Sequence, residues 1–129
     1  MLQHMKALLK DNIYIIAIIV TLSILYLSLV KMPSYHVGIA HLDKFQHCFA
    51  YFILSSSWLL VFYKKNKKHL IVICCILFGI IIEVLQDKIT NYRTGDYLDI
   101  IANSTGVFLA LLILNQVNKK IEVKRRKDL

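Results

Sequence analysis

Glu83 is a carboxylate inside an apolar run, residues 70–85, that is otherwise long enough to form a membrane span. An ionisable group at membrane depth costs free energy, so such groups usually face a bundle interior or a wet cavity and mark function. A partly desolvated carboxylate can serve as a general acid or base. Glu83 is therefore the first candidate for chemistry in this chain.

Polar and small residues recur at one spacing in three hydrophobic segments. The spacing i, i+4, i+7 places three side chains on one face of a helix. The sets that share it are Asp43, His47 and Ala50; Gly79, Glu83 and Gln86; and Asp99, Asn103 and Gly106. Small residues let membrane helices approach closely and amides can bond across the gap, so we expect Gly79 and Gly106 to be packing positions.

The direction of each segment predicts that these groups lie at one depth. If the third segment runs outward, Glu83 lies about 5 Å below Gln86, at a helix rise of about 1.5 Å per residue. The second and fourth segments then begin outside, which puts His47 and Asp99 near the same end. The other candidates at this level are Asp43, Lys44, Arg93, Asp96 and, one turn deeper, Asn103.

Residue types suggest a role for each candidate. His47, Glu83 and Asp99 are the candidates for catalysis, because an imidazole beside desolvated carboxylates can move protons. Lys44 and Arg93 are expected to hold an anion, Arg93 in bidentate fashion. The remaining candidates for ligand binding are Asp43, Gln86, Asp96 and Asn103. Two carboxylates beside a histidine can also hold a divalent cation, so we assign no cofactor but leave a divalent cation open.

The elements that position these residues follow from composition. The chain has 129 residues, enough for one domain, and 57% of them are hydrophobic and grouped in blocks. A helix needs roughly 20 mostly apolar residues to cross a bilayer, and an open sheet cannot satisfy its backbone there. We therefore predict an all-α single domain over residues 1–129, a four-helix transmembrane bundle. Its spans are about 13–30, 45–63, 69–86 and 97–117.

Charge distribution predicts the orientation. The net charge is +8, and most basic residues lie in three clusters: Lys6 and Lys10; Lys64, Lys65, Lys67 and Lys68; and Lys119, Lys120, Lys124, Arg125, Arg126 and Lys127. Because flanking positive charge stays in the cytoplasm, we expect both termini inside and the polar site on the extracytoplasmic side of a bacterial inner membrane. Attraction to anionic lipid explains the basic tail more simply than nucleic acid does.

Two further features have conventional interpretations. The apolar stretch of the first segment is longer than that of a signal peptide, and the small-residue triplet at 38–40 lies well beyond it. We therefore expect the segment to stay as a signal anchor. Tyrosines near the span ends, Tyr51 among them, are typical of an interfacial aromatic belt.

Three motifs occur in a fixed order over residues 41–110: Asp-Lys-x-x-His from Asp43, Glu-x-x-Gln from Glu83, and an Arg…Asp…Asn…Gly run from Arg93. The ordered set resembles the VanZ-like family of small polytopic membrane proteins. The name-giving members are associated with resistance to teicoplanin, whose target is a lipid-linked cell-wall precursor. The resemblance implicates Asp43, Lys44, His47, Glu83, Gln86, Arg93, Asp96, Asp99, Asn103 and Gly106.

These observations favour a membrane protein whose polar site binds a lipid-linked or phospholipid head group, in cell-envelope metabolism or teicoplanin susceptibility. Its partners would be membrane lipids and a lipid-linked cell-wall precursor. Two alternatives stay open. One is a membrane enzyme doing acid/base or metal-assisted chemistry on a lipid-linked phosphate. The other is a structural polar network that fixes helix register, in which removal of one buried partner costs about 3–5 kcal/mol. Ligand identity and oligomeric state also stay open.

Overall fold

The computed structural model describes residues 1–31 and 41–129. This part of the chain is all-helical, and four long helices account for most of it. They are α1 (Leu2–Leu29), α2 (Leu42–Val61), α3 (Lys68–Ile89) and α4 (Tyr97–Lys127), with a 3₁₀ turn at Tyr63–Lys65. The predicted all-α class with four helices is confirmed. The triplet at 38–40 lies outside the described residues.

Within that part of the chain, three helices are long and apolar enough to cross a membrane: α1, α3 and α4. α2 has 20 residues, about the length that a span needs. Its first turns carry four polar residues, Asp43, Lys44, Gln46 and His47, and its second half carries a serine triplet. The prediction of four apolar helices is therefore confirmed for α1, α3 and α4. α2 is less apolar because many of its residues are polar.

Both terminal helices are longer than their apolar segments. α1 begins at Leu2 rather than near residue 13, and α4 continues to Lys127 rather than ending near residue 117. The added residues include many Lys, Arg, Gln and Leu side chains, which are good helix formers, and extending an existing helix costs far less than starting one. Hydropathy thus defined the apolar stretches, while helix propensity set the helix ends.

Glycine sets the closest approach in the bundle, where α2 packs most extensively against α4. A Cβ atom at Gly106 would lie 2.1 Å from the carbonyl oxygen of Cys48 and 2.9 Å from the backbone nitrogen of Phe52. Only glycine fits at this crossing, because neither backbone atom can rotate away. A Cβ atom at Gly79 would meet side chains instead, at 3.1 Å from Tyr51 Cε1 and 3.2 Å from Asn103 Nδ2.

The core lies between α2, α3 and α4, with α1 at the periphery. Its most buried large side chains include Tyr51, Leu54, Leu59 and Val107. α1 buries only Ala17 and Ile24, and Trp58 Nε1 links it to α2 by donating to Thr21 Oγ1 at 3.0 Å. The outward faces are apolar, with exposed Ile and Leu side chains along every long helix. A surface of this kind is far more apolar than water-soluble monomers carry.

Candidate functional site

Lys44, in the first turn of α2, is surrounded by carboxylates. Its Nζ lies 3.0 Å from Asp43 Oδ2 and 2.6 Å from Asp96 Oδ2, and it also donates to Asp99 Oδ1. Asp96 and Asp99 come from the start of α4, so the ammonium joins α2 to α4. One ammonium therefore faces three carboxylates. Because it is already paired with them, Lys44 is not free to bind an incoming anion.

His47 lies one turn below Lys44 and is held by two residues of α4. Its Nδ1 donates to Asn103 Oδ1 at 3.1 Å, because a carbonyl oxygen can only accept. Its Nε2 lies 3.5 Å from Asp99 Oδ2. The side chains of His47 and Asp99 are only 14% and 13% exposed. Asn103 thus fixes the ring, and Nε2 is the nitrogen left for chemistry.

Glu83 projects from α3 into the same region and is 2% exposed. Its Oε2 accepts a hydrogen bond from the backbone N–H of Asp96 at 3.2 Å. Among the described residues, Glu83 Oε1 has no hydrogen-bond partner, and neither do the Tyr51 hydroxyl and Asn103 Nδ2. A buried polar atom without a partner costs about 1–3 kcal/mol, so these three atoms mark a place where something is expected to bind.

The polar cluster, as we call it from here, contains Asp43, Lys44, His47, Glu83, Asp96, Asp99 and Asn103. Three of its members, His47, Glu83 and Asp99, each offer a metal-ligating atom, and these atoms all lie within 4.8 Å of one another. One imidazole and two carboxylates suit a divalent cation. The cluster brings together residues from α2, α3 and the start of α4.

Two predicted site residues lie apart from the polar cluster. Gln86 Nε2 donates to the backbone oxygen of Ser28 at 2.8 Å, and Arg93 Nη1 donates to the same oxygen at 3.4 Å. Tyr92 donates to the next carbonyl, that of Leu29. The last turn of a helix leaves its carbonyls unpaired, so these residues cap α1. Sequence reasoning found no polar stripe in α1 and so missed this contact, which uses only backbone atoms of α1.

A polar cleft of about 310 Å³ opens beside His47. Apolar residues of α1 form one wall, and polar residues of α2 with Arg93 form the other. Its lining consists of Ile24, Leu27, Ser28, Gln46, His47, Ala50, Tyr51 and Arg93. Arg93 is exposed and uses one of its five N–H donors on Ser28, which leaves the others directed to solvent or a ligand. The cleft thus has an apolar wall and a cationic mouth.

Tyr51 was missed as a site residue. The belt interpretation is wrong for it, because Tyr51 is 2% exposed and lies within the core of the bundle. Its ring contacts Phe78 of α3, and its hydroxyl is one of the three buried polar atoms without a partner. The signal was present in the sequence: Tyr51 follows Asp43 and His47 at successive intervals of four on one helix face.

No family model matches the sequence, and neither a curated protein nor a solved structure matches it significantly. The resemblance to the VanZ-like family therefore stays a prediction.

Asp96 lies at the edge of the polar cluster, and each of its carboxylate oxygens accepts a hydrogen bond. Its Oδ1 caps α4 by accepting from the backbone N–H of Leu98 at 2.9 Å, and its Oδ2 accepts from Lys44. These contacts hold the pKa of the Asp96 carboxyl below its usual range, with the Lys44 ammonium as the main cause. Asp96 thus stays ionised near neutral pH while it joins α4, Lys44 and, through its N–H, Glu83.

Proposed function

We propose that this chain is a VanZ-like integral membrane protein that binds the phosphate-bearing head group of a membrane lipid. Lipid-linked cell-wall precursors are the first ligand class to test, with a role in cell-envelope metabolism or teicoplanin susceptibility. In this proposal all four helices cross a bacterial inner membrane, both termini are cytoplasmic, and the polar cluster lies near the extracytoplasmic surface.

Helix arrangement supports this orientation. The end of α1, the start of α2, the end of α3 and the start of α4 meet at the polar cluster and at the Ser28 carbonyl. At the opposite end, Lys10 and Ile13 of α1 share a groove with Leu60 and Tyr63. The three basic clusters belong to that opposite end, which the positive-inside rule assigns to the cytoplasm. The exposed apolar side chains between the two ends would face lipid.

The polar cleft is the observation that carries the proposal. Its apolar wall consists of Ile24, which is buried, and Leu27, which belongs to the exposed apolar surface of α1, so an acyl or isoprenoid chain can reach the cleft along Leu27. Its opposite wall offers hydrogen-bonding groups from Gln46 and His47, and the exposed cation Arg93 also lines it. An apolar groove that leads to a few convergent polar groups is the usual form of a site for an amphipathic ligand.

Arg93, rather than Lys44, is the cation that suits an anionic head group. Lys44 is already paired with three carboxylates, and a phosphate placed there would meet their repulsion. Arg93 is exposed at the mouth of the cleft, and a guanidinium binds phosphate oxygens with two parallel N–H donors. The anion-binding role that residue type suggested for both residues therefore falls to Arg93 in this proposal.

Native mass spectrometry of the full-length protein in mild detergents tests head-group binding. Wild-type protein is expected to retain phosphate-bearing lipid, and Arg93→Gln to bind it about 10–100-fold more weakly, the effect of losing one charge-assisted contact of about 1.5–3 kcal/mol. Arg93→Lys keeps the charge but loses the bidentate geometry, so it should lie between the two.

The matched control is Lys88→Gln. Lys88 is an exposed cation near Arg93 in the sequence that pairs with Asp87 at 3.6 Å and does not line the cleft. It should leave lipid retention unchanged. If wild-type protein retains no lipid in any mild detergent, or if the Arg93 and Lys88 variants behave alike, head-group binding in the cleft is wrong.

A further inference from the structure

We propose that His47, Glu83 and Asp99 form a binding site for one divalent transition-metal ion of the zinc or manganese type. This inference goes beyond head-group binding and does not rest on it. The three residues come from three different helices, yet their ligating atoms lie within 4.8 Å of one another. Four independent features of the polar cluster support a cation there.

The first feature is the direction of the His47 ring. Asn103 Oδ1 accepts from Nδ1, so in the neutral ring the lone pair is on Nε2. The Nε2 atom lies 3.5 Å from Asp99 Oδ2, which is also electron-rich. Two such atoms repel each other unless a cation lies between them or a second proton is added to the ring. A metal ion bound by both atoms removes the repulsion.

The second feature is the free oxygen of Glu83. The side chain is 2% exposed, and Oε1 has no hydrogen-bond partner among the described residues. An ionised Glu83 then has a buried oxygen without a cation, and a protonated Glu83 has a buried O–H without an acceptor. Either state is unfavourable in a buried site. Coordination of a metal ion by Glu83 satisfies the carboxylate in its ionised form.

The third feature is the charge of the cluster. The polar cluster holds four carboxylates, those of Asp43, Glu83, Asp96 and Asp99, and one ammonium, that of Lys44, which pairs with all of them except Glu83. Among the described residues Arg93 forms no ion pair with these carboxylates, because it is exposed and donates to the Ser28 carbonyl. Glu83 and Asp99 are the buried members of this set, and desolvated charges of one sign are costly unless they are paired or coordinate a metal. A divalent cation supplies the missing positive charge at the centre of the cluster.

The fourth feature is the support behind each ligand. Asn103 holds the far nitrogen of His47, Lys44 holds Asp99 Oδ1, and the Asp96 N–H holds Glu83 Oε2. In each case the partner binds one atom of the side chain and leaves the other atom free. Metal ligands in proteins are oriented in this way, with a hydrogen bond to the second nitrogen or oxygen.

Geometry and ligand type narrow the choice of ion. Zinc binds imidazole nitrogen and carboxylate oxygen at about 2.0–2.2 Å, which places neighbouring ligands about 3.4 Å apart in a tetrahedral site. The distance of 3.5 Å between His47 Nε2 and Asp99 Oδ2 already matches that separation, and the three ligating atoms all lie within 4.8 Å of one another. Three protein ligands leave a fourth position, as in catalytic zinc sites. Because His47 also lines the polar cleft, that position would be open to a ligand there.

Metal titration of the full-length protein in detergent tests the proposal. Affinity tags are removed and the protein is stripped with a chelator, then titrated with Zn²⁺ against a chromophoric chelator and with Mn²⁺ by electron paramagnetic resonance. Wild-type protein is expected to bind about one equivalent. Glu83→Gln and Asp99→Asn, which preserve shape but remove a ligand charge, should each bind at least about 100-fold more weakly.

Two variants serve as controls. Asp87→Asn changes an exposed carboxylate one turn beyond Glu83 and should leave affinity unchanged. Asn103→Leu removes the support of His47 without removing a ligand, and should weaken binding about 10–100-fold, the usual effect of such a change. Helix content by circular dichroism and elution on size exclusion show that each variant is folded.

Cobalt substitution gives a readout that does not depend on variant stability. Co²⁺ bound to wild-type protein should give visible absorption bands of a four- or five-coordinate nitrogen and oxygen site, and these bands should change in His47→Gln. If stripped wild-type protein binds no Zn²⁺, Mn²⁺ or Co²⁺ up to about 1 mM, a concentration at which only very weak sites stay empty, the proposal is wrong. It is also wrong if Glu83→Gln and Asp99→Asn bind as tightly as wild type.

Metal binding and lipid binding can fail separately. Native mass spectrometry resolves both ligands on one protein molecule, and Arg93→Gln is expected to lose lipid while it keeps the metal. A protein that binds metal but no lipid contradicts only the head-group proposal. A protein that binds lipid after complete removal of metal, with no metal site in titration, contradicts only the cation site.

Discussion

At the residue scale, what the site can bind depends on which atoms of each side chain are not already paired with another group. Lys44, a type of residue that often holds phosphate, has its ammonium enclosed by carboxylates. His47 has one nitrogen occupied by Asn103, and Glu83 has one oxygen occupied by a backbone N–H. The other nitrogen of His47 and the other oxygen of Glu83 are atoms of the kind that bind a cation. Residue type alone suggested the opposite for Lys44, because type does not say which partners are nearby.

Asp96 provides a prediction at this scale. Its pKa is lower in the folded chain than in the unfolded one, where it is about 3.9. Its contribution to stability is therefore present above the unfolded pKa and is lost as pH falls through the folded pKa. We expect the free energy of unfolding to fall as pH drops below about 4 in wild type, and to fall less in Asp96→Asn.

Asparagine also caps helices well, so this variant changes the charge and keeps the cap of α4. The measurement is unfolding by sodium dodecyl sulfate in mixed micelles at several pH values, followed by the fluorescence of Trp58, the only tryptophan. Asp128→Asn, at the exposed end of the chain, should keep the wild-type pH dependence. An Asp96→Asn profile that matches wild type would contradict the prediction.

At the element scale, the close crossing of α2 and α4 holds the site together. Lys44 and His47 on α2 meet Asp99 and Asn103 on α4 only if the two helices approach closely. Gly106 lies at that crossing, one turn below Asn103, against the backbone of Cys48 and Phe52. The small-residue spacing in the sequence indicated a packing position. It did not indicate which helix packs there.

Gly106→Ala tests the importance of this crossing. A methyl group there would lie 2.1 Å from a carbonyl oxygen, so the helices must separate. We expect a loss of about 1–3 kcal/mol in the free energy of unfolding from overpacking. This exceeds the gain of about 0.5–1 kcal/mol that alanine brings to a helix interior. Trp58 fluorescence during unfolding in mixed micelles measures the change.

Gly79→Ala is the matched comparison. Its new methyl group meets side-chain atoms of Tyr51 and Asn103 at 3.1 and 3.2 Å, and these can move by a few tenths of an ångström. The variant should therefore lose less stability than Gly106→Ala. If both substitutions have the same effect, the backbone contact at Gly106 is not what limits the approach of α2 and α4.

At the scale of the whole molecule, the two ends of the bundle differ in charge and chemistry. One end carries the polar cluster and the polar cleft, and the other carries the basic clusters and the long basic extension of α4. The extension of α4 ends in Lys124, Arg125, Arg126 and Lys127. Attraction of such a segment to anionic lipid is worth about 1 kcal/mol per basic residue near the surface.

Cysteine labelling tests the proposed orientation. In a variant with Cys48, Cys74 and Cys75 replaced by alanine, Asn91→Cys lies in the loop after α3 and Lys67→Cys lies just before α3. A membrane-impermeant maleimide should label the Asn91 variant in intact cells and the Lys67 variant only after permeabilisation. The opposite labelling pattern would show that the bundle has the inverse orientation, with the polar cluster on the cytoplasmic side.

The sequence by itself determined the four helices, the apolar segments and the shared faces of the polar residues. These properties depend on local periodicity, so residues such as Asp43 and His47 could be placed on one face without any structure. The tertiary structure alone decided that Lys44 pairs with Asp96 and Asp99, that Gln86 and Arg93 cap α1, and that Tyr51 is buried. The rotation of each helix and its choice of neighbour depend on all the packing contacts at once, and helical spacing carries no information about them.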